Sequence, residues 1–152
     1  MIGHVTWQGR PVQPNAFQQL PITLTLKSGT AEYNFPVQTT DASGFFTTNV
    51  NLVPAGTYSW RVKGTKYLAS SGNVVLAGGT TRAEFGLMLS GDCNDDNIVN
   101  ILDSSILKNS YGKVQGDAGY DDRADLTGDA VVNITDFNLL RQNFGMVGTP
   151  PL

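Results

Sequence analysis

The sequence predicts two domains of different class, an all-β sandwich over residues 1–90 and a small α domain of two loop–helix units over residues 91–152. Three observations carry this. Apolar and polar residues alternate with period two through the first ninety positions. A spacing of acidic and amide residues that begins at Asp92 returns 33 residues later at Asp125. The charge also changes sign: six Lys and Arg against three Asp and Glu before residue 91, four against ten after it.

Val5 and Trp7 open the alternation on a strand over residues 3–9. Ile22, Leu24 and Leu26 share one face, with Thr23, Thr25 and Lys27 opposite. Tyr33, Phe35 and Val37 follow, then Tyr58, Trp60 and Val62, a short strand over 74–76, and finally Phe85, Leu87 and Leu89. Strict alternation marks strands with one buried face. Gly29, residues 41–44, Pro54-Ala55-Gly56, Ser71-Gly72-Asn73 and Gly78-Gly79 supply turns between them. Several short strands at that spacing make a sandwich. Pro36 donates no ladder hydrogen bond, which places its strand at an edge. The shared faces put Trp7, Tyr58 and Trp60 in the core and leave Tyr67 in a loop.

In the second half, Asp92, Asn94, Asp96, Asn100 and Asp103 map onto Asp125, Thr127, Asp129, Asn133 and Asp136. The same offset maps Leu107 onto Leu140, Tyr111 onto Phe144 and Gly112 onto Gly145, an internal repeat. Calcium is a hard cation that takes about six to eight oxygens, and a twelve-residue loop offers them at positions 1, 3, 5, 7, 9 and 12. In the first loop these are Asp92, Asn94, Asp96, the Ile98 carbonyl, Asn100 and Asp103. In the second they are Asp125, Thr127, Asp129, the Val131 carbonyl, Asn133 and Asp136. Two calcium ions are expected, because three carboxylates per loop repel one another without a cation. The acidity of this half reflects metal ligation more than a basic partner. Val99 and Val132 are expected to point inward and pack the loops together. The sixth position calls for a left-handed backbone, which Asn97 tolerates and Ala130 adopts at a cost of about 1 kcal/mol. Thr127 is also shorter than Asn, so the second loop is expected to be the weaker site.

Both loops depart from the EF-hand pattern. Asp rather than Glu stands at the twelfth position, and no helix precedes either loop. A loop and following helix, twice, ending in Asp and carried by residues 91–112 and 124–145, resembles the dockerin family, type I-like. That resemblance implies calcium-dependent folding and docking onto a cohesin domain of another extracellular protein. Helices are expected over 102–111 and 135–144. The resemblance places the partner surface on Ile101, Leu102, Lys108 and Asn109 in the first copy, and on Ile134, Thr135, Arg141 and Gln142 in the second. The Ile101-Leu102 pair is apolar where many dockerins carry hydroxyl residues, and the twofold repeat permits two docking orientations.

Thr40-Asp41 with Gly44-Phe45-Phe46, then Pro54-Ala55-Gly56-Thr57-Tyr58, resemble the carboxypeptidase-regulatory or CnaB-type, prealbumin-like sandwich over roughly residues 3–89. Some CnaB domains carry a Lys–Asn isopeptide bond, and the first strand here has no lysine to form one. Only Ser90 and Gly91 separate Leu89 from the ligand Asp92, too short for a flexible linker. The pair therefore resembles X-module–dockerin tandems, in which a sandwich buttresses the dockerin.

No enzyme is expected: Glu32, Asp41 and Glu84 are the only carboxylates of the first half, too scattered to pair as acid and base. His4 is the sole histidine and reads as a surface residue, and Cys93 as a half-buried thiol with no disulfide partner. No stretch is long and apolar enough to insert into a membrane, and nothing points to nucleic acid. Met1-Ile2-Gly3-His4 has neither the basic nor the apolar segment of a signal peptide. The expectation from the resemblance is a secreted, extracellular or cell-surface protein whose signal lies outside this stretch. Two alternatives stay open: a structural subunit that self-associates, and carbohydrate binding by the sandwich.

Overall fold

The computed structural model describes all 152 residues. In chain order the strands are β1 (Ile2–Trp7), β2 (Pro21–Ser28), β3 (Ala31–Asn34), β4 (Gln38–Thr39) and β5 (Phe45–Thr47). They continue with β6 (Gly56–Gly64), β7 (Lys66–Tyr67), β8 (Ser70–Leu76), β9 (Arg82–Met88) and β10 (Ser90–Asp92). Two helices follow, α1 (Ile101–Ser110) and α2 (Ile134–Gln142). No helix is long and apolar enough to cross a membrane.

One sheet has the order β5–β1–β9, with β1 antiparallel to β5 and parallel to β9. The other runs β3–β2–β6–β8, with β4 also paired to β2. The inward residues of both meet in one core: Val5 and Trp7, Ile22, Leu24 and Leu26, Tyr58, Trp60 and Val62, with Phe46, Phe85 and Met88. Phe85 joins the sheets by stacking on Phe46 at 5.7 Å and meeting the Trp60 ring edge-on at 4.6 Å.

Alternation misleads at four points. Gly86 adopts φ +80° beside a register shift between His4 and Val5. This bulge turns Leu87 outward, 51% exposed, and buries Met88 in its place. Ser71-Gly72-Asn73 is strand rather than turn, and β8 begins at Ser70. Gly72 is there because the Trp60 ring lies where its side chain would be. Pro36 does not sit within a strand but ends one, so that β3 stops at Asn34 and Val37 is exposed. Tyr67 is no loop residue: it is buried on β7 against Trp7, ring centres 4.7 Å apart, and its hydroxyl accepts from Arg10 Nε. The first strand also ends at Trp7, since Gly9 takes φ +87°.

The helical half has its own core of Val99, Leu107, Ala124, Leu126, Val132, Leu140 and Cys93, which Leu68 enters from the strand side. Cys93 is fully rather than half buried, and burial pushes its thiol up to about 12. The repeat pairs with itself reciprocally. Gly112, after α1, donates to the Val132 carbonyl of the second loop, and Gly145, after α2, to Val99 of the first. Gln115 and Gly148 likewise donate to Ala130 and Asn97. Each helix thus returns its chain to the other loop.

The halves meet along the β7–β10 pair, where Ser90 faces Tyr67 and Asp92 faces Lys66. Leu68 donates to Leu89 O, and Asn143 Nδ2 donates to Ser90 O and to Gln8 Oε1 at 2.7 and 2.6 Å. The C-terminal segment closes the seam: Thr149 donates to Ala69 O, and its own carbonyl accepts from Arg61 Nε and Asn97 Nδ2.

Candidate metal centre and helix face

Each loop wraps its first carboxylate with backbone donors and then caps a helix with its last. Asp92 Oδ2 accepts from Asn97 N–H at 3.0 Å, and Asp125 Oδ2 from Ala130 N–H at 2.9 Å. Asp96 and Asp129 accept from Ile98 and Val131 N–H, two residues on. The sixth position is left-handed in both, Asn97 at φ +70° and Ala130 at +67°, as are the repeat mates Asp95 and Gly128. The carbonyls of Asn97, Val99, Ala130 and Val132 are taken by the reciprocal pairing, while no backbone N–H donates to those of Ile98 and Val131.

The twelfth-position carboxylates have a second role that the ligand spacing did not show. Asn100 caps α1 by accepting from Leu102 N–H, while Asp103 Oδ2 accepts from Asn100 N–H at 2.8 Å. Asn133 and Asp136 repeat this capping box on α2. The other oxygens reach back across the loops, Asp103 to Asn94 N–H and Asp136 to Leu126 and Thr127 N–H. Asn-x-x-Asp before an apolar run was the available signal.

Nowhere do three or more His, Cys, Asp or Glu side chains gather closely enough to hold a metal on their own. In each loop the first and twelfth carboxylates are buried, and the fifth is turned toward backbone N–H. The remaining candidate donors are Asn94 or Thr127, Asn100 or Asn133, and the two carbonyls. This mixed oxygen set is suited to a hard cation rather than a transition metal. In the first loop, Asp92 Oδ1 is buried with no hydrogen-bond partner. Burial raises the Asp92 pKa against the pull of Lys63 Nζ, 3.0 Å from Oδ2. A buried carboxylate oxygen without a donor is what a calcium ligand leaves open, so the first loop fits the ion. The second is more self-satisfied: Asp125 accepts from Gly128 N–H, from Thr127 Oγ1 at 3.3 Å and from the Tyr120 hydroxyl at 3.0 Å. Burial and the Asp125 contact together raise the Tyr120 pKa.

Residues 90–145 match the dockerin type I domain. The whole chain is similar in fold to a chain of a type II cohesin–X-dockerin complex from Acetivibrio cellulolyticus, a C-terminal interface mutant. The identity is 21% over 97% of this chain and 96% of that one, with a TM-score of 0.71. An N-terminal interface mutant of the same complex gives 21% and 0.70 over the same shares. A type II cohesin–dockerin domain from Bacteroides cellolosolvens is 37% identical over 40% of this chain and 90% of that one, with a TM-score of 0.34. No curated protein matches the chain.

On the matched segment, all eight residues expected at the partner surface are exposed. Ile101, Leu102 and Ile134 are 66%, 57% and 55% exposed, so the apolar pair is surface and not core. Lys108 and Ile134 line an open groove between α1 and α2 with Ser104, Leu107, Tyr111 and Phe137. Tyr111 and Phe137 were missed; their exposed rings lie just after α1 and within α2, where alternation cannot assign a face. Arg141 is not among the groove's lining residues. Gln142 faces the sandwich, accepting from Gln8 Nε2 at 3.4 Å.

Proposed function

We propose that the chain is a noncatalytic, extracellular, calcium-dependent attachment module whose dockerin half docks onto a cohesin domain, with the sandwich as its rigid buttress. One observation carries this: Tyr111 at the end of α1 and Ile134 and Phe137 on α2 line one open groove and are exposed, and Ile101 and Leu102 at the start of α1 are exposed too. Contiguous exposed apolar surface marks an interaction site. The twelfth-position carboxylates that would help hold two calcium ions also cap those helices, so metal binding would reinforce the elements that present the docking face. Asp92, Asn94, Asp96, Ile98, Asn100 and Asp103 would hold one ion, and Asp125, Thr127, Asp129, Val131, Asn133 and Asp136 the other. When bound, calcium supplies the positive charge that relieves carboxylate repulsion in each loop. The CnaB-like reading of the sandwich rests on its turn motifs, and the division at residues 90/91 on the change of pattern there.

Against the sugar-binding alternative, Trp7, Tyr58, Trp60 and Tyr67 are all buried. Self-association is tested by light scattering with and without calcium, where growth into large particles would favour it over a foreign cohesin.

The deciding experiment is calorimetric titration of type I and type II cohesins onto the calcium-loaded chain. One-to-one binding that disappears in chelator is expected. Ile134→Glu should weaken it by about a hundredfold, as for the centre of an apolar interface, with the circular dichroism unchanged. Unaltered affinity in that variant would reject the groove as the docking face.

A further inference from the structure

Two sandwich lysines reach the acidic loops from either side of one tight turn. Lys63 lies near the end of β6 and Lys66 opens β7, with only Gly64 and Thr65 between them. Lys63 Nζ lies 3.0 Å from Asp92 Oδ2 and is hydrogen-bonded to Asp95 and to the Gly64 carbonyl. Lys66 Nζ lies 2.6 Å from Asp122 Oδ2 and donates to the carbonyl of Asp125 at 3.2 Å. Both side chains are nearly enclosed, 14% and 13% exposed, unlike ordinary surface lysines. Lys66 also holds a left-handed backbone, φ +68°, a conformation disfavoured for any residue with a Cβ. One short turn therefore places an ammonium beside the first-position residue of each loop.

Surface ion pairs contribute little, but the Lys63–Asp92 pair is nearly enclosed on both sides, whereas Asp95 and Asp122 are exposed partners. The acidic half does have a basic partner, and it lies within the same chain. Asp92 Oδ2 is held by Lys63 and Asn97 N–H, while Oδ1 stays open. A fixed positive charge this close opposes any second cation and offsets carboxylate repulsion where none is bound.

We propose that Lys63 and Lys66 form an internal counter-ion yoke that lowers the calcium affinity of the loops while holding the calcium-free helical half folded against the sandwich. This rests on the calcium-loop reading above. The larger effect belongs to Lys63, which touches a first-position carboxylate, whereas Lys66 touches Asp122 and a main-chain carbonyl.

The test compares Lys63→Met, which keeps the stem, and Lys66→Met with wild type, using Lys27→Met as a control remote from the loops. Calcium affinity is read by calorimetry at low salt, and the thermal midpoint separately in chelator. Lys63→Met is expected to bind calcium about tenfold more tightly at the first loop, the size of one nearby charge. It should also melt lower in chelator, with the affinity gain shrinking as salt screens the charge. Lys66→Met should move both readouts the same way by less, and Lys27→Met neither. Lys63→Gln, which keeps a donor for Asp92, supplies the same comparison if the methionine variant does not fold. Unchanged or weaker calcium binding on loss of the Lys63 charge would overturn the yoke. A wild-type chain that binds no calcium would instead overturn the loop reading on which it rests.

Discussion

Asp92 and Asp125 occupy the same loop position, yet Asp92 keeps one buried oxygen without a donor while Asp125 has both engaged. The backbones around them are alike, with left-handed residues at matching positions and reciprocal pairing of the segments that follow. What differs is local. Tyr120 and Thr127 put hydroxyls on Asp125, and Lys63 puts a charge on Asp92. The comparison teaches that a repeated ligand spacing fixes a loop's path without fixing how much of its chemistry remains for an ion. The second loop resembles a site partly filled by its own side chains, the first one left open and held by a removable charge.

Removing the twelfth-position carboxylates is the most damaging way to probe this difference. Asp136 accepts from Leu126, Thr127 and Asn133 N–H and shares the single Thr127 hydroxyl proton with Asp125, while Asp103 accepts from two N–H groups. In chelator, Asp136→Ala should cost about 4 kcal/mol and Asp103→Ala about 2, because each lost acceptor strands a donor in a buried setting. Urea unfolding measures this, and the reverse order would show that the second loop is not the more self-satisfied one.

The sixth positions sharpen the contrast with opposite signs. Ala130→Gly relieves left-handed strain and should stabilise the chain by about 1 kcal/mol and tighten calcium at the second loop. Asn97→Gly gains similar backbone freedom but loses the Asn97 Oδ1 contact to Ala69 N–H and the Nδ2 contact to Thr149 O. It should therefore be destabilising by about 1 kcal/mol. Thermal melts of the two variants with and without calcium decide it; a gain in both would mean that the Asn97 bonds to the sandwich contribute nothing.

The smallest effect lies away from the loops. Burial lowers the His4 pKa, but hydrogen bonds to Glu84 and Gln13 outweigh it and leave the pKa above its ordinary value. A raised folded-state pKa contributes stability that is present below the unfolded value and lost as pH rises through the folded one. Moving from about pH 6 to about pH 8 should lower the melting temperature by under about 2 °C through this pair, and Glu84→Gln should flatten that dependence. This slope is common to both loops, so it serves as the baseline against which loop-specific pH effects are read.

Period-two alternation located the strands because each has one face to bury, and it failed where a bulge or a glycine changed which face that is. Leu87 and Met88 exchanged places at Gly86, and Gly72 read as a turn because its reason for being glycine, the Trp60 ring, lies on another strand. Tyr67 looked isolated because its partners, Trp7 and Arg10, are distant in sequence. The loop positions, the repeat offset and the helix starts were legible because loops and caps are short-range structures. The sequence alone determined two loop–helix units and a sandwich, through local periodicity and spacing. Only the tertiary structure decided which carboxylate oxygen stays open, which rings face solvent between the helices, and that Lys63 and Lys66 reach the loops. Those features depend on distances between residues that the chain brings together only after both halves have packed.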